Sequence, residues 1–266
     1  MLDTKALIAL VASVSITLAV SLSVQVVAYQ SQPKQQPILV EFFTSEGCSS
    51  CPPSDRLASH LQNTSPDGHD LIILSEHVDY WNYLGWQDQY SSPQFTLRQQ
   101  QYASALGQNS VYTPEAVIDG SYGVIGSEAG SVNNAITRCA SYPKALLRLS
   151  SQDSETDKLK KKVSVSVICP PDLNGKEAAL FLAVTEDKLS SNVRSGENAG
   201  TVLPHTGVVR YLKELRRLTL AQTKDFSCDA EITLSPHWKM QDLRIVAFLQ
   251  DPTTRRICGA TQARIQ

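Results

Sequence analysis

The sequence predicts an α/β domain over residues 38–142 followed by an all-β, sandwich-like domain over residues 143–266. Three observations carry this expectation. The run Ile38-Leu39-Val40-Glu41-Phe42-Phe43 is short and almost continuously apolar, the pattern of a strand buried on both faces. After a turn, Leu57 and Leu61 recur at helical spacing, and strand-like and helix-like stretches then alternate as far as Pro143. Beyond Pro143 the apolar residues recur at every second position, as in Val163, Val165 and Val167, which is the period of half-buried strands.

The elements follow in order. Ala6 to Ala28 contains no charged residue, Lys5 precedes it, and Val26-Val27-Ala28 resembles a small-residue cleavage site. Residues 1–28 are therefore expected to be a signal peptide or an N-terminal membrane anchor. Either one places the remainder in the periplasm, in a lumen or outside the cell, where disulfides persist. Residues 29–37 are a polar, proline-bounded spacer. The strand at 38–43 leads through Thr44-Ser45-Glu46-Gly47 to Cys48-Ser49-Ser50-Cys51-Pro52-Pro53 and a helix through Leu61. A second buried strand is expected from Leu71 to Val78 and a helix from Pro93 to Leu106. Val111-Tyr112-Thr113-Pro114 precedes two short strands, Glu115 to Ile118 and Tyr122 to Ile125, joined by a turn at Asp119-Gly120. A helix from Ser127 to Cys139 closes the first half. In the second half, strands are expected at Lys162–Cys169, Leu180–Val184, Leu218–Thr223, Cys228–Leu234, Leu243–Leu249 and Arg256–Ala263. These suit an antiparallel sandwich of about six to eight strands.

Composition excludes two classes of function. Lys and Arg number 24 against 26 Asp and Glu, so the basic excess of a nucleic-acid binder is missing. With 42% apolar residues the chain can bury a core, unlike a disordered tail. Six cysteines are too few for a disulfide-dense miniprotein, and their spacing carries the information.

Cys48 and Cys51 sit between a buried strand and the first turn of a helix. Pro52 and Pro53 are tolerated there, because first-turn N–H groups have no intrahelical partner. Those unpaired N–H groups and the positive helix end stabilise a thiolate on Cys48. Cys48 is then the attacking nucleophile, and Cys51, one turn further in, resolves the mixed disulfide. Glu46 and Asp55 are close in sequence and oppose this, so Cys48 is expected to be less acidic than in the strongest oxidants. The competing readings are a structural disulfide and half of a zinc site; the latter needs two more ligands, and no second CxxC exists. Cys139, Cys169, Cys228 and Cys258 allow three pairings, and one or two structural bridges would suit such a compartment. No metal and no cofactor is expected.

A CxxC after the first strand and a Thr-Pro before a late β-hairpin resemble the thioredoxin fold. The resemblance implies an α/β thioredoxin-like domain at 38–142, a cis Pro114, and a Thr113 backbone that pairs with a substrate strand. It also implies that Glu41 relays a proton to the resolving cysteine, although Glu41 stands one residue away from the family spacing. The competing reading is a strand carboxylate paired with a neighbour. Longer strings are similar to a secreted thioredoxin-like family catalogued as domain of unknown function 1223. They are Glu41 to Pro53, His77 to Trp86, Val111 to Pro114 and Gly196-Glu197-Asn198-Ala199-Gly200.

Tyr80, Trp81, Tyr83 and Trp86 cluster after the second strand. Tyr80 and Trp81 are candidates for a groove wall that grips peptide substrates; the competing reading is a packed insert covering one sheet face. His205 and Arg210 are candidates for contact with the redox half or with a ligand. The expectation is an extracytoplasmic thiol–disulfide oxidoreductase acting on protein or peptide disulfides with a separate redox partner. The alternative is a non-enzymatic binding module, or a copper carrier using His77 and Asp79 with the thiolates on a thioredoxin-like scaffold.

Overall fold

The structure is a computed structural model and describes residues 36–64, 68–155, 157–173, 176–220 and 225–265. The expected export segment at 1–28 and most of the spacer lie outside the described residues. The first strand, β1 (Ile38–Thr44), is buried along its whole length, as expected of an almost continuous apolar run. It is followed by α1 (Pro52–Thr64), β2 (Leu71–His77), α2 (Pro93–Leu106), β3 (Glu115–Ile118), β4 (Tyr122–Ile125) and α3 (Ala129–Cys139). Local chemistry sets the α2 ends. Ser92 Oγ accepts from the Gln94 N–H, Pro93 stands at the first helical position, and Gly107 at φ 70° closes the last turn.

The second half contributes β5 (Leu146–Asp153), β6 (Lys160–Ile168), β7 (Glu177–Glu186), β8 (Leu189–Asn192), β9 (Val202–His205), β10 (Val208–Thr219), β11 (Asp225–Thr233), β12 (Leu243–Gln250) and β13 (Ile257–Arg264). One mixed eight-stranded sheet runs in the order β13-β12-β7-β10-β2-β1-β3-β4. β1 and β2 pair in parallel, and β3 and β4 add antiparallel to β1. A three-stranded sheet, β11-β6-β5, covers the β7, β12 and β13 end, and β8 and β9 form a two-stranded ribbon of their own.

The change of pattern expected at residue 143 is present, but the sheet does not stop there. β10 joins β2 at the Val208–Ser75 pair, and residues 35–266 form one compact unit. Backbone approach explains the junction. Ser75 N–H donates to the Gly207 carbonyl at 2.8 Å, and Ser75 Oγ donates to the Thr206 carbonyl at 2.7 Å. Gly207 has φ +62°, and a Cβ there would meet the Ile73 carbonyl oxygen at 2.7 Å, so only glycine fits. The sandwich is therefore formed by β11-β6-β5 against half of a sheet whose other half carries the CxxC.

Alternation along β7 shows how the layers divide. Leu180, Leu182 and Val184 enter the aliphatic core shared with β5, β6 and β12. Ala183, with Phe181 packed against it, enters a second core with Leu39, Leu74 and α2 residue Phe95. On the far face of β1 and β2, Val40, Phe42 and Ile73 meet Ala58 and Leu61 of α1 and Val132 and Ile136 of α3. Arg98 of α2 ties the halves together. Its guanidinium bonds Glu41 and Gln250 and lies 5.4 Å and 5.3 Å from the ring centroids of Phe181 and Phe248.

Candidate functional site

Three secondary elements converge on residues 44–55. β1 ends at Thr44, and the chain turns through Ser45–Gly47, with Cys48 N–H donating to the Ser45 carbonyl at 3.2 Å. A Cβ on Gly47 would meet Trp81 Cβ at 3.1 Å, so the turn passes tightly beneath the aromatic segment. Cys48 and Cys51 form a disulfide with Cα atoms 5.5 Å apart. α1 starts at once: the Cys51 carbonyl accepts from Ser54 and Asp55 N–H at 2.9 Å and 3.1 Å. Both cysteines are fully buried, at 0% exposure, whereas Ser49 and Ser50 between them are exposed.

Thr113 and Pro114 lie against this loop, joined by a cis peptide bond. Ser50 Oγ is 3.3 Å from Cys48 Sγ and 3.5 Å from the Thr113 carbonyl oxygen. Trp81 Nε1 donates to Thr113 Oγ1 at 2.7 Å. Gln99 of α2 holds the same turn, donating to the Tyr112 carbonyl and to Glu115 at 2.7 Å and 2.8 Å. Tyr80 donates to Gln99 at 3.2 Å, and burial pushes its phenol up to about 12. Tyr80 and Trp81 are half-buried against Phe43, Tyr102 and Val117. Their polar ends thus support the Thr113 turn, and what they present outward is ring edge and face.

Glu41 is elsewhere. Its neighbours on β1 alternate, and Glu41 faces α2, whereas α1 packs on the Val40 and Phe42 side. Arg98 Nε donates to Glu41 at 2.5 Å, and the Tyr102 hydroxyl makes a very short bond to its other oxygen. Glu41 is thus the carboxylate of a buried ion pair, the competing reading of this strand residue, and neither bond links it to the cysteines. Arg98 also faces Glu76 at 3.4 Å. Burial, and then the charge of Glu41, push the Glu76 carboxyl well above its ordinary range.

Behind the cysteines lies a polar cluster that sequence reading did not assemble. Glu46 N–H donates to Asp88 Oδ2 at 2.9 Å, Trp86 Nε1 donates to Glu46 Oε2 at 2.6 Å, and His205 Nε2 meets Glu46 Oε1 at 3.1 Å. His77 Nδ1 bonds Asp88 at 2.7 Å. Burial pulls the His77 imidazole down, but Asp88, Asp55 and Glu46 outweigh it and its pKa is raised. Asp88 is the mirror case: burial pushes it up, and His77 with two backbone N–H groups brings it below its ordinary value. Asp55 accepts from Thr44 Oγ1 at 2.8 Å, and burial raises its pKa despite both histidines. Of the two acids expected to oppose a Cys48 thiolate, Asp55 is thus driven by burial toward its neutral form, and Glu46 is tied to Trp86 and His205.

The second half reaches this cluster through the β8–β9 ribbon. Asn198 Nδ2 donates to the carbonyls of both Glu46 and Cys48 at 2.9 Å, and Glu197 Oε2 accepts from Ser49 N–H at 3.0 Å. The string Gly196 to Gly200 was visible in the sequence, but its position on the CxxC was not, because 148 to 150 residues separate the partners. His205 touches the CxxC half at Glu46, and Arg210 does so by stacking on Tyr90 at 5.0 Å, with Trp238 of the second half at 5.5 Å. His77 and Asp79, weighed for copper, hold separate partners, Asp88 and Thr96. Among the described residues no group of three His, Cys, Asp or Glu side chains is placed to hold a metal. Cys139, Cys228 and Cys258 are free thiols. They sit on α3, β11 and β13, so the structural bridges that the compartment would permit do not form among them.

Comparison with known proteins agrees with this geometry. No curated protein matches. Two solved structures are similar over most of the chain. Protein AGR_C_4864 from Agrobacterium tumefaciens is 25% identical, with a TM-score of 0.65 and coverage of 86% of this chain and 94% of that one. HBP35 of Porphyromonas gingivalis is 17% identical, with a TM-score of 0.69 and coverage of 87% and 76%, a likeness of fold alone. The family model described as "Protein of unknown function (DUF1223)" matches residues 39–250. That span takes in the disulfide, the Thr113 turn and the β8–β9 ribbon together, and the chain belongs to the DUF1223 family.

Proposed function

We propose that this protein is an extracytoplasmic thiol–disulfide oxidoreductase whose reactive pair is Cys48 and Cys51. The observation that carries this reading is the Cys48–Cys51 disulfide at the β1–α1 junction, with the Thr113 carbonyl beside it. A structural disulfide closing so short a loop constrains little of the unfolded chain, whereas a reactive one profits from the helix-start N–H groups around it. The sheet order β2-β1-β3-β4, with α1 after β1 and a cis-proline turn before β3, supports the thioredoxin-like assignment of this half. In the exchange, a substrate thiolate attacks Cys48 Sγ and Cys51 leaves as a thiolate that takes up a proton. A second substrate thiol then displaces Cys48 and releases the substrate disulfide. The reverse sequence reduces a substrate, and the potential of the pair sets the direction.

Substrate recognition in this reading runs through the Thr113 backbone, as an added strand, with Trp81 and Tyr80 as the adjoining wall. Protein or peptide thiols and a separate redox partner are the proposed partners. Export is read from the uncharged run Ala6 to Ala28 and the small-residue site that ends it. Among the described residues no helix is long and apolar enough to cross a membrane. The test is exchange of the purified protein with a glutathione redox buffer. Expected is a reversible Cys48–Cys51 disulfide and a Cys51→Ala variant that traps mixed disulfides. Exchange that survives Cys48→Ser would refute the reading.

A further inference from the structure

We propose that the β8–β9 hairpin is a redox-responsive cap over the Cys48–Cys51 disulfide, with Glu197 and Asn198 as its positioning residues. The proposal rests on exchange at that disulfide. Both cysteines are at 0% exposure, yet a thiolate must reach Cys48 Sγ in line with the S–S bond. Something that covers the CxxC loop has to move before exchange begins.

The hairpin is built to be that part. β8 and β9 pair only with each other. Their connecting tip closes on itself, with Val193 N–H donating to the Thr201 carbonyl and Gly200 N–H to the Val193 carbonyl. Gly196 and Gly200, at φ +80° and +82°, bracket the two residues that touch the CxxC. The outer side of the tip is exposed, including Arg194, Glu197 and Ala199. The tip's anchors on the first half are polar: Glu197 on the Ser49 N–H, Asn198 on two carbonyls, and Ser195 Oγ on the Gly85 carbonyl at 2.6 Å. The strands at its base are held by Gln89 on Ser191 Oγ and by His205 on Glu46, so it is the tip that moves.

The Ser49 contact makes the cap sensitive to redox state. Ser49 N–H lies next to Cys48 just before α1, among the groups that stabilise an anion at a helix start. In the disulfide form the sulfur carries no charge, and the Glu197 carboxylate takes that N–H. Reduction changes the balance. One thiolate of a dithiol attacks Cys48 Sγ, and Cys51 leaves and is protonated. The second sulfur of the reductant closes its own disulfide and releases Cys48 as a thiolate. Carboxylate and thiolate then compete for one N–H and repel each other. The disulfide form is capped and the dithiol form is open, so Cys48 becomes available when the protein holds electrons to give.

Trypsin cleavage after Arg194 reads the cap directly, because cleavage follows the population of the open state. With the full-length protein, reduction by dithiothreitol is expected to speed that cleavage about tenfold, which corresponds to a shift of about 1.4 kcal/mol in the opening equilibrium. Cleavage at Arg216 and Arg217, far along the chain on β10, stays unchanged. In Glu197→Gln, which keeps the shape without the charge, the redox difference falls below about threefold. Equal cleavage after Arg194 in both redox states overturns the proposal. So does a dithiothreitol effect that persists in a Cys48→Ala, Cys51→Ala double variant. A redox-dependent cap in a protein that does not exchange with glutathione would instead refute the proposed function and leave the cap standing.

Discussion

The two ends of the eight-stranded sheet are packed by different rules. Around β12, β7 and the three-stranded sheet, an aliphatic core brings Val163, Val165, Leu180, Leu182, Ile245 and Leu249 together. Around β1 and β2, the same backbone geometry buries Glu41, Glu46, Glu76, His77, Asp88 and Arg98. An apolar core gains stability from area removed from water and tolerates changes of shape. A buried polar cluster gains little net stability but permits one arrangement only, since each unmatched group is penalised. The difference teaches that the sandwich end supplies stability and the β1–β2 end holds a fixed geometry for the cysteine loop.

That contrast can be broken at its strongest point first. Arg98→Met leaves Glu41 without its cation and is expected to destabilise the fold by about 3–5 kcal/mol in urea unfolding. A loss under about 1 kcal/mol would mean that Glu41 takes up a proton and the ion pair is dispensable. In the aliphatic end, Leu182→Ala is expected to cost about 2–5 kcal/mol, with the exchange rate per folded molecule unchanged. A parallel fall in exchange would erase the division of roles. Asn198→Ala strips two carbonyls of their donor and is expected to cost about 1–3 kcal/mol while speeding reduction of the disulfide by dithiothreitol; slower reduction would contradict the cap.

The His77–Asp88 pair gives a pH signature. The folded pKa of His77 lies above its ordinary 6.5, so its contribution is complete below that value and fades as pH rises through the raised one. Asp88 is held below its ordinary 3.8, so its contribution is present above 3.8 and fades as pH falls through the lowered value. The stability gap between the protein and His77→Gln should be widest between the ordinary Asp and His values of 3.8 and 6.5 and narrow as pH rises through the raised His77 value. A gap that widens with rising pH would mean that His77 is neutral in the fold. The smallest effect is expected from Trp81→Phe, which removes the N–H given to Thr113 at about 0.5–1.5 kcal/mol. Its sharper readout is substrate affinity, which falls only if the Thr113 turn needs that support.

Much of the molecule was legible because it is local. The almost continuous apolar run of β1, the proline at the start of α2, and the alternation of β6 and β7 are statements about neighbours in sequence, and each element stands where those patterns put it. The CxxC was legible for the same reason, since its chemistry follows from standing between a strand and a helix start. The role of Glu41 was not, because a strand residue shows its period but not its partner, and Arg98 is 57 residues away. β10 was anticipated only near its end, at Leu218. Its start at Val208 is set by pairing with β2 through Gly207, a contact no local pattern records.

By itself, then, the sequence determined most element types, the CxxC at a strand–helix junction and the change from mixed to all-β patterning, because propensity, capping and periodicity act over a few residues. Only the tertiary structure decided that the two halves share one sheet. It also brought Glu46, Asp88, His77 and His205 together behind the cysteines and set Glu197 and Asn198 on the loop. Those outcomes depend on which distant backbones approach closely enough to bond and on which buried charges find partners. They are settled by the whole packed chain at once.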